Sequence, residues 1–144
     1  YSDVLLMLAE ASNQVNNGPN AEAIEAVNQV RRRAFGVDIN TPSVAADLTA
    51  ADIANKASFQ LAVEKERTLE LCFEGFRRLD LIRWGKYVST MKSVGAEIRA
   101  NTQNTGYRVY AAGAENAADK YTLFPIPLRE MGVNTKLVQN ELWK

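Results

Sequence analysis

Glu66-Arg-Thr-Leu-Glu-Leu-Cys-Phe-Glu-Gly-Phe-Arg-Arg-Leu-Asp-Leu-Ile-Arg-Trp-Gly85 decides how this chain is read. The stretch sets large apolar side chains among charges of both signs, with a glycine dividing two helical patterns. Between 64 and 86, 11 of 23 residues are charged, five acidic and six basic. So near a balance argues against a polyanion-binding tract and for carboxylates and guanidinium groups that pair with one another. Glu66, Arg67, Glu70, Glu74, Arg77, Asp80 and Arg83 are therefore assigned to a latch locking two helices. Gly75 turns the chain between them, and Trp84 adds packing and an indole donor. Two carboxylates at a suitable separation would also serve glycoside hydrolysis. With so many arginines nearby, however, a carboxyl would need strong desolvation to keep its proton near neutral pH, and the structural role is preferred.

Outward from this segment the helical periodicity continues. Residues 1–16 read as an amphipathic helix stopped by Asn16-Asn17-Gly18-Pro19. Asn20 caps a second helix over 21–35, with Ile24, Val27, Val30 and Ala34 inward and Gly36 as its stop. The 1–36 pair thus forms an antiparallel hairpin of the helical-repeat kind. Thr49-Ala-Ala-Asp52 has capping-box spacing, with Leu48 and Ile53 as a hydrophobic staple. It predicts a long helix from there to about Phe73, so that latch helices occupy 49–93. Loop and tail fill 94–144, with a short extended piece around Tyr107-Arg-Val-Tyr110, an extended 121–124 and a short helix at 128–131. The periodic pattern opens at Tyr1 without a cap, so the 144 residues are expected to be a piece of a longer protein.

Composition narrows the chemistry. Apolar residues make up 47%, which argues for a packed core, and 17 basic against 17 acidic residues leave no net field for nucleic acid. Arg31-Arg-Arg33 at a helix end reads as a solvated face favourable to the helix dipole. No run approaches the roughly 20 apolar residues of a membrane span. Cys72 is the one cysteine; flanked by Leu71 and Phe73, it is expected to be buried, and with no histidine in the chain it has no obvious base. The absence of histidine also removes Ser-His-Asp chemistry and the usual metal ligand sets, and there is no glycine-rich phosphate loop. No catalytic residue, metal site or cofactor is expected.

Tyr107 and Tyr110 lie in a polar stretch rather than on a helical stripe, beside Asn101 and Asn104. Aromatic rings stack on the apolar faces of sugars while amides bond their hydroxyls, which makes these four the candidate ligand contacts. Anchoring of the loop is the preferred use of the tyrosines, and ligand contact is the alternative.

Four segments together resemble the carboxy-terminal portion of the RagB/SusD family. Tyr1-Ser-Asp-Val-Leu-Leu-Met-Leu-Ala-Glu-Ala11 resembles that family's Tyr-Ala-Asp-Val-Leu-Leu helix, and Asn28-Gln-Val-Arg-Arg-Arg-Ala34 its Asn-x-Val-Arg-x-Arg-Ala partner. Glu66–Gly85 resembles its hallmark Glu-Arg-x-x-Glu-Leu-x-Phe-Glu-Gly-x-Arg-x-x-Asp-Leu-x-Arg-Trp-Gly. Phe124-Pro-Ile-Pro127 and Leu137-Val-Gln-Asn140 resemble its closing motifs, although Glu141-Leu-Trp143 stands where Pro-Gly-Tyr is common. The resemblance implies a mainly α, tetratricopeptide-like helical scaffold with long irregular excursions. It implies a non-enzymatic, surface-exposed outer-membrane lipoprotein of several hundred residues, whose lipid anchor is not in this chain. Such proteins capture an oligosaccharide or other nutrient and deliver it to a SusC-like TonB-dependent transporter. A helical-repeat adaptor for protein or peptide is the alternative.

Overall fold

A computed structural model describes residues 1–100, 106 and 108–144. Seven α-helices and short 3-10 turns make up the secondary structure of the described residues, with no strand among them. The chain divides after Arg77 into two compact units.

The first unit is built on α1 (Ser2–Val15), α2 (Ala21–Ala34) and α3 (Lys56–Glu70). Its core joins Leu6 and Ala9 of α1, Ala23, Ala26, Val27 and Val30 of α2, and Phe59 and Val63 of α3. The small alanines let the helices approach, and the branched and aromatic side chains fill the remaining space. Each fully buried Val, Leu or Phe contributes roughly 1.5–3 kcal/mol. Asn20 caps α2 as its sequence predicts, its Oδ1 accepting from the Ala23 amide at 2.8 Å. Ala34, expected inward, is exposed because α2 is already leaving the core in its last turn.

The start of α3 differs from expectation. Thr49 and Asp52 do bond each other, the Thr49 amide and hydroxyl both donating to Asp52 Oδ2, but they close an isolated turn. Asn55 is extended (φ −161°), and its side chain accepts from the Ala57 and Ser58 amides while the Ser58 hydroxyl accepts from the Asn55 amide. That complete capping box starts the helix at Lys56, seven residues after Thr49. Leu48 and Ile53 nevertheless pack on the core, from the connector rather than as a staple.

At the far end α3 stops at Glu70, and Leu71 makes the last inward contact at 6% exposure. Cys72 and Phe73 then face outward, so the thiol expected to be buried is exposed. Gly75 has φ +84° and turns the chain as predicted; Phe73 has φ +65°, a left-handed conformation that costs a non-glycine residue about 1–2 kcal/mol.

The second unit contains most of α4 (Arg77–Arg83), then α5 (Tyr87–Ala100), α6 (Arg108–Glu115) and α7 (Leu128–Val133). Gly85 (φ +68°) ends α4: its own amide donates to Ile82 and the Lys86 amide to Leu81, satisfying two terminal carbonyls. The 94–144 stretch, expected to be loop and tail, is more helical than that. α5 runs on to Ala100, and part of the segment expected to be extended is α6, whose Ala111 and Ala114 are buried. Gly95 explains the pairing of α5 with α6. A Cβ there would lie 2.8 Å from Glu115 Cγ, 3.2 Å from the Glu115 amide and 3.3 Å from the Ala111 carbonyl, so only glycine permits this approach.

Candidate functional site

The charged groups of the first unit gather where α2 meets α3 and the connector. Arg31 donates from Nη1 to Glu66 Oε2 at 3.1 Å and from Nε to the Ala46 carbonyl at 2.6 Å. Arg33 reaches both carboxylate oxygens of Glu70. One turn away, Arg67 Nη1 donates to Asp3 Oδ1 at 2.8 Å, tying α3 to the first turn of α1. Glu66, Arg67 and Glu70 of the hallmark segment are thus held by the two motifs that precede it.

Arg32 is the most thoroughly bonded residue of the group. It is 1% exposed. Nε and Nη2 hold the two oxygens of Asp47 at 2.6 Å each, and Nη1 and Nη2 hold those of Glu25 at 2.8 and 3.2 Å. Nη1 also donates to the Ile39 carbonyl at 2.9 Å, which accounts for all five guanidinium donors. Nearby, Asn28 Oδ1 accepts from the Leu48 amide at 2.8 Å, fixing the same connector to α2. The solvated face expected of Arg31-Arg-Arg33 is therefore corrected: successive helical positions point about 100° apart, and each of the three meets a different acceptor. Arg33 alone keeps most of its side chain in water.

The electrostatics follow from this packing. The Arg32 hydrogen bonds hold the Asp47 carboxyl below its ordinary range, and Asp47 and Glu25 hold the guanidinium's own proton more tightly against the cost of burial. Burial pushes Glu66 up, with Arg31 opposing the shift. A carboxyl so raised invites comparison with a general acid. Glu66, however, is 4% exposed and faces Arg31 rather than open solvent, so its geometry suits a latch and not proton transfer to a substrate.

The remaining hallmark residues are placed differently. Glu74 is exposed in the Gly75 turn. Arg77 lines an open depression of about 310 Å³ with Leu61, Glu64, Lys65, Thr68 and Leu69. In the second unit Asp80 is buried and accepts from Arg83 Nε at 2.9 Å, and the Arg83 guanidinium lies over the Trp84 ring at 4.7 Å.

The closing motifs of the second unit also interlock. Pro125 and Pro127 have no amide hydrogen, leaving Ile126 with the only backbone donor of the three. The Ile126 amide donates to Gln139 Oε1 at 2.8 Å and Gln139 Nε2 returns a bond to the Ile126 carbonyl at 2.9 Å. Asn140 Nδ2 reaches the Phe124 carbonyl at 2.6 Å, and Trp143 Nε1 donates to the carbonyls of Lys120 and Leu123 at 2.9 and 2.8 Å. The Arg78 guanidinium lies 5.5 Å from the Tyr87 ring centre and 5.1 Å from that of Phe124. Trp143 packs edge-on to Tyr121, the rings 5.8 Å apart, so the tail expected to be irregular is pinned by side-chain amides and aromatic contacts.

Of the candidate ligand contacts, Asn101, Asn104 and Tyr107 lie outside the described residues. Tyr110 is on α6 rather than in an extended piece, and its side chain is exposed. Among the described residues no group of three or more acidic or cysteine side chains is arranged to hold a metal, and no helix is long and apolar enough to cross a membrane. Sequence reasoning missed Asp3, Glu25, Asp47 and Gln139 as partners. For Gln139 a signal existed, since Pro-Ile-Pro leaves one isolated peptide donor and acceptor for a primary amide to satisfy.

The SusD family model matches residues 1–143. SusD-like protein P25 of Formosa agariphila is 36% identical over 140 residues, covering 97% of this chain and 22% of that protein. SusD-like protein P38 of the same organism is 38% identical over 91 residues, covering 63% of this chain and 17% of the relative. A SusD homologue of Bacteroides thetaiotaomicron, known from its crystal structure, superposes with a TM-score of 0.86 at 43% identity, covering 97% of this chain and 25% of its own. The chain thus spans about a quarter or less of the length of these relatives. The shared fold is the tetratricopeptide-like all-helical one, and the chain belongs to the SusD family.

Proposed function

We propose that this chain is a scaffold segment of a nutrient-capture protein of the outer membrane. The protein binds a nutrient, a glycan in the most specific form of the reading, and passes it to a SusC-like TonB-dependent transporter. The observation that carries the reading is the family match over residues 1–143, reinforced by a helical fold shared at a TM-score of 0.86. The role is binding rather than catalysis, and the protein is surface-exposed and lipid-anchored through a part outside these residues. Within the 144 residues the hallmark charges serve architecture. Asn101, Asn104, Tyr107 and Tyr110 are the proposed ligand contacts, on the chemistry of ring stacking and amide bonding.

Calorimetric titration of the complete parent protein against a panel of oligosaccharides tests the reading, together with co-purification of a SusC-like transporter. Saturable binding of one glycan class, weakened about tenfold by Tyr107→Ala or Tyr110→Ala, is the expected result. Binding to none of the panel and no transporter in the complex would discard it.

A further inference from the structure

Asn17-Gly18 is the one Asn-Gly pair in the sequence, and it lies in the turn between α1 and α2. There it closes the end of α1. Asn17 takes the left-handed conformation at φ +54°, which asparagine tolerates better than most residues with a side chain. The Gly18 amide donates back to the Asn13 carbonyl at 3.1 Å, the long bond of a Schellman cap. Beside it the Ser12 hydroxyl donates to Asn20 Oδ1 at 3.0 Å and accepts from Asn16 Nδ2 at 3.1 Å, so the turn is held on both flanks. Asn13 extends the hold to α3, its Nδ2 donating to the Lys56 carbonyl at 3.0 Å.

The same pair is a latent reactant. Asn17 is exposed, and the Gly18 nitrogen is the one nucleophile that can close a five-membered ring on its Cγ. No side chain on Gly18 shields that nitrogen, and the space where a Cβ would stand is open. Ring closure needs a nitrogen that has given up its proton and swung against Cγ. In the cap the proton is engaged with the Asn13 carbonyl, which opposes both requirements. Chemistry at Asn17 therefore waits on opening of the turn.

We propose that Asn17 is a site of self-modification gated by the Asn13–Gly18 hydrogen bond. When the cap opens, Gly18 gives its amide proton to solvent base and its nitrogen bonds Asn17 Cγ. The Cγ–Nδ2 bond breaks, and Nδ2 takes a proton from water and leaves as ammonia. Water then cleaves the cyclic imide at either of its two carbonyls. Cleavage of the new bond leaves aspartate. Cleavage of the original peptide bond leaves isoaspartate, with the main chain routed through Cβ. The added methylene moves Gly18 away from Asn13, so the cap that held the reaction back does not re-form. Isoaspartate at this position accumulates as a record of how often the end of α1 has opened. The proposal is independent of the capture reading, and its test measures no ligand binding.

The complete parent protein is incubated in mildly alkaline buffer, folded and in guanidinium chloride, and the peptide spanning Asn17 is followed by mass spectrometry. Electron-transfer fragmentation tells isoaspartate from aspartate. In denaturant Asn17 converts faster than any other asparagine of these residues, and in the folded protein about tenfold more slowly than in denaturant. Hydrogen exchange at the Gly18 amide is slowed by a similar factor, since both reactions start from the same opening. Ser12→Ala removes the hydroxyl bonds flanking the turn and raises the folded rate several-fold, with the denatured rate unchanged. Asn17→Gly, which suits φ +54°, abolishes the signal. Equal rates with and without denaturant remove the gate. No isoaspartate in the folded protein once the denatured sample has fully converted removes the site. Either result overturns the proposal.

Discussion

Arg67 and Asp3 stand 64 positions apart in the chain and 2.8 Å apart in space. Arg67 is 4% exposed at its side chain and Asp3 30%, so the pair sits at the edge of the buried region and joins the last long helix of the first unit to its first turn. Removing one member breaks this bond, and where a buried charge loses a partner the cost reaches about 3–5 kcal/mol. Arg67→Ala is expected to cost less than that, because Asp3 can be rehydrated, and Asp3→Ala to cost more than a surface change would, because Arg67 cannot. Urea unfolding of the two single variants and the double variant checks the order, and the double variant should fall short of the sum.

Arg32 offers a sharper comparison with its neighbour. Lysine in its place has no fork to hold Asp47 and Glu25 together, and it leaves buried acceptors unfilled. Arg32→Lys should cost about 2–4 kcal/mol. Arg33→Lys, at a side chain 57% exposed, should change stability by less than about 1 kcal/mol. Equal midpoints for the two variants would remove Arg32 from its central place.

The two shifted carboxylates of the latch make opposite demands on pH. Asp47 is lowered in the folded state, so its contribution is present above the unfolded value and lost as pH falls through the folded one. Glu66 is raised, so its contribution is present below the unfolded value and lost as pH rises through the folded one. Acidification below about pH 4 should therefore weaken the fold through Asp47 while Glu66 resists. Asp47→Asn should flatten the acid limb of a stability–pH curve, and Glu66→Gln should steepen it.

Gln139 is expected to matter through both halves of its amide. Gln139→Glu keeps an acceptor for the Ile126 amide and loses the donor to its carbonyl, whereas Gln139→Leu loses both bonds. The leucine variant should cost the second unit about 1–3 kcal/mol and the glutamate variant less. Hydrogen exchange at the Ile126 amide is the direct readout, fast in Gln139→Leu and partly protected in Gln139→Glu.

Gly95→Ala should destabilise the α5–α6 pair by about 1–3 kcal/mol, since two of the three atoms nearest the added methyl are backbone and cannot swing aside. Gly113→Ala on α6, with open space around it, is the control and should be neutral or slightly stabilising.

The helices that follow from local signals were legible, and those that follow from tertiary competition were not. Asn20 capped α2 and Gly36 and Gly75 turned the chain because side-chain and backbone preferences there act within a few residues. Thr49-Ala-Ala-Asp52 carries the same spacing signal as Asn55-Lys-Ala-Ser58. Only in the fold does the second emerge as the helix start, with Leu48 and Ile53 turned onto the core ahead of it. That the hallmark carries paired charges was readable from its balance of signs. That Glu66 and Glu70 pair with Arg31 and Arg33, rather than with the arginines beyond Gly75, depends on a helix 35 residues away and leaves no local trace. Cys72 misled for a related reason: its apolar neighbours signal burial only if the helix continues, and α3 ends two residues earlier.

The wide spacing between Asp3 and Arg67 also orders events on the ribosome. When α1 and α2 have emerged, Phe59 and Val63 are missing from the core and the hallmark's Glu66, Arg67 and Glu70 have yet to be made. The hairpin meanwhile presents Asp3, Arg31 and an apolar groove to whatever is near. One turn of sequence, Glu66 to Glu70, then delivers three counter-charges together. A nascent chain of this fold therefore passes through a stage, before α3 has emerged, in which the core face of the α1–α2 hairpin is still open.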